Sequence, residues 1–439
     1  MGEVLGLLER NVRKFPDKVA ITGDDRTVTY AQLWRNSERH AVEPGARVFY
    51  RDRNRTGFWE LFVACLRAGA TLVPVNFRLT GEEAAWIEAD ARAGGDAPHP
   101  LMLMYSSGTT GRPKGVRIDD HQLAWTAGAF GALFEVDEHA VSLVPTPYHH
   151  IAGTGWSLIT LAAGGTIVQN AEPTPASMLR QLIEHRATHA AMVPTLIQAI
   201  ADDPAARAAD LSALRHIVYG GAPITPALVT RATAVFGAAF HQSYGLTETT
   251  GVATVLDPGE HRPDGRLGSV GRTLPGLEVR VDGSGEILVR GPAVTSGYWR
   301  NPAATAQSIV DGWLHTGDAG SLDADGYLYL HDRIKDMIVS GGENVYPAEV
   351  ERVLAAHPAV LDVAVVGVPS ARWGESPAAV VVPAGDLDGA ALIAWSRERL
   401  AHFKCPVAVH VVDALPRNAA GKVLKRVLRQ RYRSSGDTP

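Results

Sequence analysis

Cysteine is almost absent from this chain of 439 residues, because Cys65 and Cys405 are its two cysteines and they lie far apart. Two distant cysteines provide no disulfide framework, which favours a reducing compartment. The first residues, Met-Gly-Glu-Val-Leu-Gly, lack the basic stretch and the apolar run of a signal peptide. The sequence also shows no apolar run that indicates a membrane span. We therefore expect a cytoplasmic protein without a membrane-spanning helix.

An excess of positive charge is missing as well. The formal net charge is −5, and charged residues make up 20% of the chain. Proteins that bind nucleic acids usually carry basic surfaces, so we expect no nucleic-acid partner, and any anionic ligand must be bound by local basic groups. The length exceeds that of a usual single core, which predicts two or more domains.

Residues 105–115, Tyr-Ser-Ser-Gly-Thr-Thr-Gly-Arg-Pro-Lys-Gly, have the composition of a loop that binds a triphosphate. Glycines let backbone N–H groups approach oxyanions, hydroxyls add donors, and Lys114 adds a positive charge. The apolar run 101–104 precedes the segment and predicts a place at the end of a strand. The spacing is not that of a P-loop, since Lys114 follows Pro113 and no Ser or Thr comes next. A flexible Ser/Gly linker would look similar but needs no Lys or Pro there.

Four later segments add further binding chemistry. Residues 244–248, Tyr-Gly-Leu-Thr-Glu, offer an aromatic face for a purine, a hydroxyl for phosphate and a carboxylate for magnesium. Residues 312–318 end in an acid that could accept hydrogen bonds from two ribose hydroxyls. A charged turn at 332–336 leads to a glycine pair, and 416–422 presents one lysine on a turn of small residues. Each segment alone is equally compatible with a structural role, as a helix-start acid, a turn residue or a solvated cation.

Together and in this order, these motifs resemble the adenylate-forming (AMP-binding) superfamily of acyl-CoA synthetases, luciferases and peptide-synthetase adenylation domains. The resemblance extends from Asn11 to about Arg429, and residues 147–153, 220–223 and 332–347 are similar to those of fatty-acid–CoA ligases. The resemblance implies an acid–thiol ligase that uses ATP, Mg²⁺ and coenzyme A. Such an enzyme first forms acyl-AMP and then transfers the acyl group to the thiol of CoA.

The resemblance also implies a role for each matching position. The implied catalytic residues are Lys422, Thr247 and Glu248, the last of which would also hold the metal. The implied acyl-pocket residues are His150, Gly153, Trp156 and Gly221, and those of the CoA tunnel are Gly341, Gly342 and Glu343. The implied ATP- and AMP-binding residues are Ser106, Ser107, Gly108, Thr109, Thr110, Gly111, Lys114, Gly221, Ala222, Tyr244, Gly245, Thr247, Asp318, Arg333 and Lys422.

Two of these assignments have a competing interpretation. By resemblance, Lys422 bridges the carboxylate and the α-phosphate during adenylation, and the small domain then rotates at the hinge Lys335 so that the glycine pair faces the site. Lys335 could instead be only a solvent-exposed turn residue. His150 could be a structural histidine of the core, and the adjacent His149 makes its assignment ambiguous by one position.

The predicted fold is α/β, with a large N-terminal domain of mostly parallel, helix-covered sheets, a small antiparallel barrel-like subdomain and a small mobile α+β C-terminal domain. The expected domains are 1–334 and 335–439. Strand-like runs alternate with helical patterns up to about Gly265, and short alternating strands follow. The predicted strands are 140–144, 165–169, 189–193, 216–219, 277–281, 285–289, 326–330, 361–368, 378–382 and 408–412, and the predicted helices are 175–185, 226–236 and 389–401.

The N-terminal domain is shorter than that of the family near 94–100, and the segment 37–45 also looks shortened. A missing strand and helix would expose apolar sheet surface, which a monomer seldom leaves bare. We therefore predict a homo-oligomer that uses this region. Polar replacements such as the segment 51–55, Arg-Asp-Arg-Asn-Arg, are the alternative within one chain.

The leading functional hypothesis is an AMP-forming acyl-CoA ligase for a fatty or other apolar acid. The alternative is a stand-alone adenylation enzyme that loads an acyl carrier protein. Residues 147–156 contain no acid for the ammonium of an amino acid and no arginine for a second carboxylate, which disfavours amino acids and malonate-like diacids. A binding protein without activity is disfavoured because every charged site residue is present, and luciferase-like oxidation would need a special substrate.

Overall fold

The computed structural model describes residues 2–93, 99–106, 112–222, 224–262, 265–417 and 423–433. Its α-helices are α1 (Glu3–Lys14), α2 (Tyr30–Ser37), α3 (Thr56–Ala68), α4 (Gly81–Arg92), α5 (Asp120–Leu133), α6 (Ile151–Ala163), α7 (Pro175–Glu184), α8 (Pro194–Ala201), α9 (Pro204–Arg207), α10 (Pro226–Phe236), α11 (Pro302–Ser308), α12 (Pro347–Ala355), α13 (Gly389–Arg397) and α14 (Lys425–Tyr432).

The β-strands of the same residues are β1 (Val19–Gly23), β2 (Val28–Thr29), β3 (Arg47–Tyr50), β4 (Thr71–Pro74), β5 (Met102–Ser106), β6 (Lys114–Ile118), β7 (Val141–Val144), β8 (Thr166–Gln169), β9 (His189–Met192), β10 (His216–Gly220), β11 (Ala239–Tyr244), β12 (Thr254–Leu256), β13 (Arg272–Thr273), β14 (Glu278–Val281), β15 (Glu286–Arg290), β16 (Ile309–Val310), β17 (Trp313–Leu322), β18 (Leu328–Arg333), β19 (Ile338–Ser340), β20 (Glu343–Val345), β21 (Val360–Ser370), β22 (Gly374–Pro383) and β23 (Ala408–Val411).

A nine-stranded sheet with the order β13-β12-β11-β10-β9-β7-β8-β1-β2 is the largest sheet of the described residues. Its central strands β11, β10, β9, β7, β8 and β1 run parallel to one another, and β12 and β2 pair antiparallel at either end of this group. β8 and β9 are buried at every position, which is typical of strands covered by helices on both faces. The predicted alternation of strands and helices is therefore confirmed, and with it the α/β class.

A second sheet, with the order β3-β4-β5-β6, contains the start of the predicted phosphate loop. β3, β4 and β5 are parallel, and β6 returns antiparallel to β5 with Ser106 opposite Lys114. The loop therefore leaves from the end of a strand, as the apolar run before it predicts. Residues 94–98, where the sequence predicts a shortening, lie outside the described residues.

Two five-stranded sheets follow in the C-terminal part of the chain. One has the order β14-β15-β17-β16 with β18 beside β17, and the other has the order β20-β19-β22-β21 with β23 beside β22. β21 and β22 form a long antiparallel pair, whereas β23 is parallel to β22. The predicted helix 389–401 ends earlier, at Arg397, because Ser396 turns its hydroxyl onto the carbonyl oxygen of Ile393 and competes with the helical pattern.

Threonine fixes the start of several helices around the two N-terminal sheets. Thr29, Thr80, Thr174 and Thr225 precede α2, α4, α7 and α10, and each hydroxyl accepts a hydrogen bond from the backbone N–H three residues later. Such a cap contributes about 1 kcal/mol to helix stability. The local sequence thus sets where these helices begin, and their apolar faces then cover the sheets.

The N-terminal region does not expose the apolar surface that the predicted shortening suggested. None of the large apolar side chains exposed in the described structure belongs to residues 2–93. In the segment 51–55, the buried Asn54 donates to the carbonyl oxygens of Val144 and Thr146, while Arg53 pairs with Glu172. These contacts support the polar alternative within one chain. The oligomeric state itself stays a prediction.

The chain divides into two compact units. Unit 1 comprises residues 1–280, 288–316 and 322–329, and unit 2 comprises residues 281–287, 317–321 and 330–439. In unit 1, buried side chains such as Phe58, Trp59 and Tyr148 form a core against the nine-stranded sheet. In unit 2, a smaller core includes Ile338, Val350 and Val365. No helix in the part of the chain that the structure describes could cross a membrane.

Candidate active site

Two neighbouring parallel strands of unit 1 carry the predicted adenine- and metal-binding residues at their carboxyl ends. β10 ends at Gly220 and lies opposite β11, which ends at Tyr244. Gly221 and Ala222 follow β10 directly, and the 3₁₀ turn Thr247–Thr249 follows β11. Because the two strands are parallel, these segments lie at one edge of the sheet, where α/β proteins bind ligands.

The immediate surroundings of position 245 leave room for glycine but not for a side chain. A Cβ atom at this position would lie 2.4 Å from the Cα of Val252 and 2.5 Å from the carbonyl oxygen of Gly251. The chain reverses just after the 3₁₀ turn, where Thr250 has a φ of 53°, a left-handed conformation that non-glycine residues rarely adopt. Strain of this kind costs about 1–3 kcal/mol and is often found at functional sites. The tight reversal fixes the backbone that presents Glu248.

The carboxylate of Glu248 is oriented by a tyrosine from a distant part of the sequence. The hydroxyl of Tyr298 donates a hydrogen bond to Oε1 of Glu248 over 2.9 Å. The ammonium of Lys114 lies 4.9 Å from the centre of the Tyr298 ring, within the range of a cation–π contact. Tyr298 therefore connects the predicted metal ligand with the predicted phosphate-binding lysine. The sequence analysis did not identify Tyr298. The one feature of the sequence that could have pointed to it is the aromatic pair Tyr-Trp directly after Gly297.

The phosphate loop is described at its two ends. Ser106 and Lys114 pair across the hairpin of β5 and β6, and the N–H of Trp299 donates to the carbonyl oxygen of Gly115 over 2.7 Å. The predicted ligands Ser107, Gly108, Thr109, Thr110 and Gly111 lie outside the described residues, as does Lys422. The structure thus brings Lys114 and Glu248 together through Tyr298, and the roles of the other loop residues stay predictions.

The predicted acyl-pocket residues fall into a buried and an exposed group. Gly153 and Trp156 are buried on α6, where the Trp156 ring lies 5.6 Å from that of Phe134. His150 and Gly221 are exposed. A Cβ on Gly153 would lie 2.5 Å from the carbonyl oxygens of both Thr146 and Pro147, so close backbone packing is reason enough for glycine there. A Cβ on Gly221 would meet open space, but its φ of 76° favours glycine.

The two adjacent histidines have different surroundings. His150 precedes α6 as its N-cap residue without a side-chain capping bond, whereas His149 is half-buried with its ring edge against Phe77. The two imidazole rings lie 4.4 Å apart. Burial, together with smaller contributions from charge repulsion by His150 and Arg78, lowers the pKa of His149 to about 3. His149 is therefore neutral at physiological pH.

Unit 2 carries the predicted ribose-binding pair. Nε of Arg333, at the end of β18, lies 2.7 Å from Oδ1 of Asp318, and the Asp318 side chain is buried. The N–H of the preceding Gly317 donates to Oε1 of Glu286 over 2.8 Å and fixes this part of β17. The sequence predicted both residues for the same ligand group, and the structure places them in contact.

The glycine pair of the predicted CoA tunnel forms a turn between β19 and β20. Ser340 lies opposite Glu343, so Gly341 and Gly342 are a two-residue loop with φ values of 62° and 89°. Two consecutive positive φ angles are typical of a type I′ turn, which favours glycine. A Cβ on Gly341 would also lie 2.7 Å from Cε3 of Trp373. The turn and the tryptophan therefore both require glycine, independently of any ligand.

Lys335 lies exposed in the short 3₁₀ turn Ile334–Asp336, between β18 and β19. Its ammonium is 3.9 Å from Oδ2 of Asp336, and the Asp336 side chain is largely buried. The residue thus lies in a short connection between regular elements, as a hinge residue would. Its role in rotation stays a prediction.

Comparisons with known proteins give consistent matches along the chain. The family model for AMP-binding enzymes matches residues 8–95 and 94–299, two stretches that meet where the sequence predicts a shortening. The model for the AMP-binding enzyme C-terminal domain matches residues 349–422. Together these models cover more than half of the chain.

Similar proteins match over nearly their full length. A feruloyl-CoA synthase from an Amycolatopsis species is 39% identical, over 96% of this chain and 98% of the relative. The fatty acid–[acyl-carrier-protein] ligase ScoC from Streptomyces coeruleorubidus is 35% identical, over 95% and 94%. The structure of O-succinylbenzoate coenzyme A synthetase from Bacillus subtilis in complex with ATP and magnesium ion superposes with a TM-score of 0.87 at 29% identity, over 96% of this chain and 98% of the other.

Proposed function

Because this chain belongs to the AMP-binding enzyme family, we propose that it converts a carboxylic acid with a predominantly apolar acyl group into its CoA thioester through an acyl-adenylate. The chain is an acid–thiol ligase that uses ATP, Mg²⁺ and CoA. The observation that carries the proposed chemistry is the linked set of Lys114, Tyr298 and Glu248 at the edge of the nine-stranded sheet.

The first half-reaction activates the acid. A carboxylate oxygen attacks the α-phosphorus of ATP, the bond to the bridging oxygen breaks, and pyrophosphate leaves. Lys114 would contact phosphate oxygens, and Lys422 would bridge the attacking carboxylate and the α-phosphate. Both cations offset negative charge that develops at phosphorus in the transition state. The product is a mixed anhydride with a phosphate ester as its leaving group.

The donor set at Glu248 fits magnesium, which prefers carboxylate oxygens. Tyr298 orients this carboxylate through Oε1, and the N–H of Thr295 fixes its backbone by donating to the carbonyl oxygen of Glu248 over 2.8 Å. When bound, the ion neutralises phosphate charge. Glu248 would hold it, and Thr247 beside it would contact a phosphate.

The second half-reaction transfers the acyl group. The sulfur of CoA attacks the acyl carbon, the bond to the phosphate oxygen of AMP breaks, and the thiol proton passes to solvent. In this step the turn of Gly341 and Gly342, together with Glu343, would face the pantetheine. The small domain, 335–439, would rotate at Lys335 between the two steps.

The acid is proposed to be apolar because residues 147–156 contain no Asp, Glu, Lys or Arg, and because the ring of Trp156, on α6, packs 5.6 Å from the ring of Phe134. Acids that contain a ring are the first candidates for the substrate, since a feruloyl-CoA synthase is 39% identical to this chain. A carrier-protein thiol is the second candidate acceptor, and the 35% identity to ScoC favours testing it.

Pyrophosphate release across a panel of aromatic and fatty acids, with and without CoA, tests this proposal. We expect ATP- and Mg²⁺-dependent release with a subset of the acids, and a thioester that mass spectrometry detects once CoA is added. A panel with purified holo acyl carrier protein in place of CoA distinguishes the two acceptors. Release that no acid stimulates would contradict the proposed function.

A further inference from the structure

The helix α14 begins three residues after Lys422 and carries positive charge that its own sequence does not balance. Its residues, Lys-Arg-Val-Leu-Arg-Gln-Arg-Tyr, include no acid, and the N-cap residue Leu424 makes no side-chain capping bond. Two of the cations occupy the first turn, where the helix dipole disfavours positive charge. Lys425 and Arg429 are like charges at i and i+4, which also destabilise a helix. A helix of eight residues with these features is not stable alone, so other parts of the unit must stabilise it.

Three acids of unit 2 supply this stabilisation: Glu351, Asp336 and, with its Oδ2 3.9 Å from Nζ of Lys425, Asp332. Nζ of Lys425 lies 2.8 Å from Oε1 of Glu351, whose carboxylate also accepts a hydrogen bond from the N–H of Val365 over 2.7 Å. The guanidinium of Arg429 lies 2.8 Å from Oδ1 of Asp336. We call the two pairs Lys425–Glu351 and Arg429–Asp336 the α14 clasp. Its second acid is the residue directly after Lys335.

The α14 clasp surrounds an apolar anchor. Leu428, between the two cations, is completely buried in a cluster with Ala364, Val366 and Val380. The clasp side chains are partly shielded, with 15% of Lys425, 22% of Glu351, 33% of Arg429 and 11% of Asp336 exposed. Charge-assisted hydrogen bonds in such surroundings are stronger and more directional than exposed surface pairs. The clasp therefore fixes the position of α14 on the sheet as well as its stability.

The chain on both sides of residues 418–422 is held at the same place. Arg417 and Val423 form an antiparallel bridge, and the N–H of Leu424 donates to the carbonyl oxygen of Pro416 over 2.8 Å. Arg417 also pairs with Asp362 at 2.6 Å. The points at which the chain enters and leaves the segment that contains Lys422 are thus fixed, and α14 follows directly from one of them.

We propose that Lys425 and Arg429 are positioning residues for Lys422, which act by fixing α14 through Glu351 and Asp336. This inference rests on the proposed role of Lys422 in acyl-adenylate formation. A displacement of a catalytic group by about 1 Å can cost about 100-fold in rate. Because Lys422 would act in the first half-reaction only, the loss is confined to adenylation.

Substitutions of Arg429 in the full-length protein test the proposal. Arg429→Met and Arg429→Gln remove the charge that faces Asp336, and Arg429→Lys keeps it. We expect Met and Gln to lower the rate of pyrophosphate release by about 10- to 100-fold, with an unchanged KM for ATP and an unchanged rate of thioester formation from supplied acyl-AMP. Arg429→Lys should retain most of the wild-type rate of pyrophosphate release. Arg426→Met, at an exposed cation of the same helix, is the matched control and should leave both rates unchanged.

The outcomes separate this proposal from a structural role and from the proposed function. An equal fall of both half-reactions, or a Lys variant as slow as the Gln variant, would overturn the positioning role. Should Arg429→Met unfold, Lys425→Met removes the other pair of the clasp without touching the hinge and is expected to show the same selective loss. Failure of the wild-type protein to release pyrophosphate with any acid would instead contradict the proposed function, whatever the variants do.

Discussion

The two units of the molecule expose very different amounts of large apolar side chain. In the part of the chain that the structure describes, the larger unit 1 exposes Ile183, Val193, Val310 and Leu322. The much smaller unit 2 exposes Leu330, Val339, Leu361, Trp373, Phe403, Val407, Val411, Leu424 and Val427. Apolar groups of this size are costly to leave in water. Unit 2 therefore has an exposed apolar surface of the kind that binds other molecules or packs against other parts of a chain.

Several predicted site residues differ between the units in the same way, although the buried Asp318 of unit 2 and the exposed His150 of unit 1 do not follow the pattern. In unit 1, Glu248 and Gly245 are fixed by hydrogen bonds and by close backbone contact at the end of a buried sheet. In unit 2, Lys335, Gly342 and Glu343 are exposed in short turns. The difference fits the proposed division of labour, in which fixed groups of unit 1 and the Asp318–Arg333 pair bind the nucleotide while the exposed turns of unit 2 act in different steps.

The strongest test of this division removes a group that only one step should need. Lys422→Ala is expected to lower acyl-adenylate formation by about 100-fold or more, because it removes a charge that contacts the transition state. Thioester formation from supplied acyl-AMP should be unaffected. Single-turnover assays of the two half-reactions measure both effects. An equal loss in both would place the lysine in a role common to the two steps.

A second test addresses the rigidity of unit 1. Gly153→Ala is expected to lower the free energy of unfolding by about 2 kcal/mol, since its Cβ would overlap two backbone carbonyl oxygens and the packed core cannot expand to admit it. Activity should fall uniformly for short and long acids. Gly221→Ala, where a Cβ meets open space, should be less destabilising. Urea unfolding and a chain-length series of acids measure these effects, and selective loss of the long acids would show that Gly153 lines the acyl pocket.

A third test restricts the mobility of unit 2. Lys335→Pro fixes φ in the turn Ile334–Asp336 and disfavours the helical conformation of Ile334 before it. We expect thioester formation to fall about tenfold while adenylation is retained, because rotation is needed only between the steps. Lys335→Ala, which keeps the backbone free, is the control. Thioester formation at the wild-type rate in the proline variant would place the hinge elsewhere.

The effect expected without any substitution is an acid sensitivity of unit 1. Burial lowers the pKa of His189 to about 4 and that of His241 to about 3, with neighbouring charges as secondary causes. Unfolded histidine titrates near 6.5, so the unfolded chain binds protons that the folded chain does not as the pH falls below that value. The stabilisation is complete above pH 6.5 and is lost towards pH 4, by at most about 1.4 kcal/mol per pH unit for each group.

Urea unfolding at pH 7.5, 6 and 5 measures this loss. His189→Gln should reduce the pH dependence of the free energy of unfolding by about one proton, whereas His121→Gln, at an exposed position, should leave this dependence unchanged. A pH-independent stability would show that the folded and unfolded chains bind the same number of protons, so that these imidazoles keep an ordinary pKa in the folded state.

Sequence reasoning succeeded where the signal is local. The apolar runs of β8 and β9 and the glycine pair of the β19–β20 turn are short patterns, and each determines its own conformation. It failed for Tyr298, because the partner Glu248 is 50 positions away and only the folded chain brings them together. It also could not foresee the packing at Gly153, since what a Cβ would touch depends on the path of residues 146–147 rather than on the glycine itself.

The pairing of β1 with β8 has a consequence for how the chain acquires its structure during synthesis. β1 is complete after residue 23, but it lies between β2 and β8, and its partner in β8 spans residues 167–169. β1, the first strand of the largest sheet, therefore cannot pair with β8 until more than a third of the chain has been translated. Pairings of such long sequence separation form slowly and leave strand edges exposed meanwhile. We expect nascent chains that end before β8 to be the ones that need chaperones.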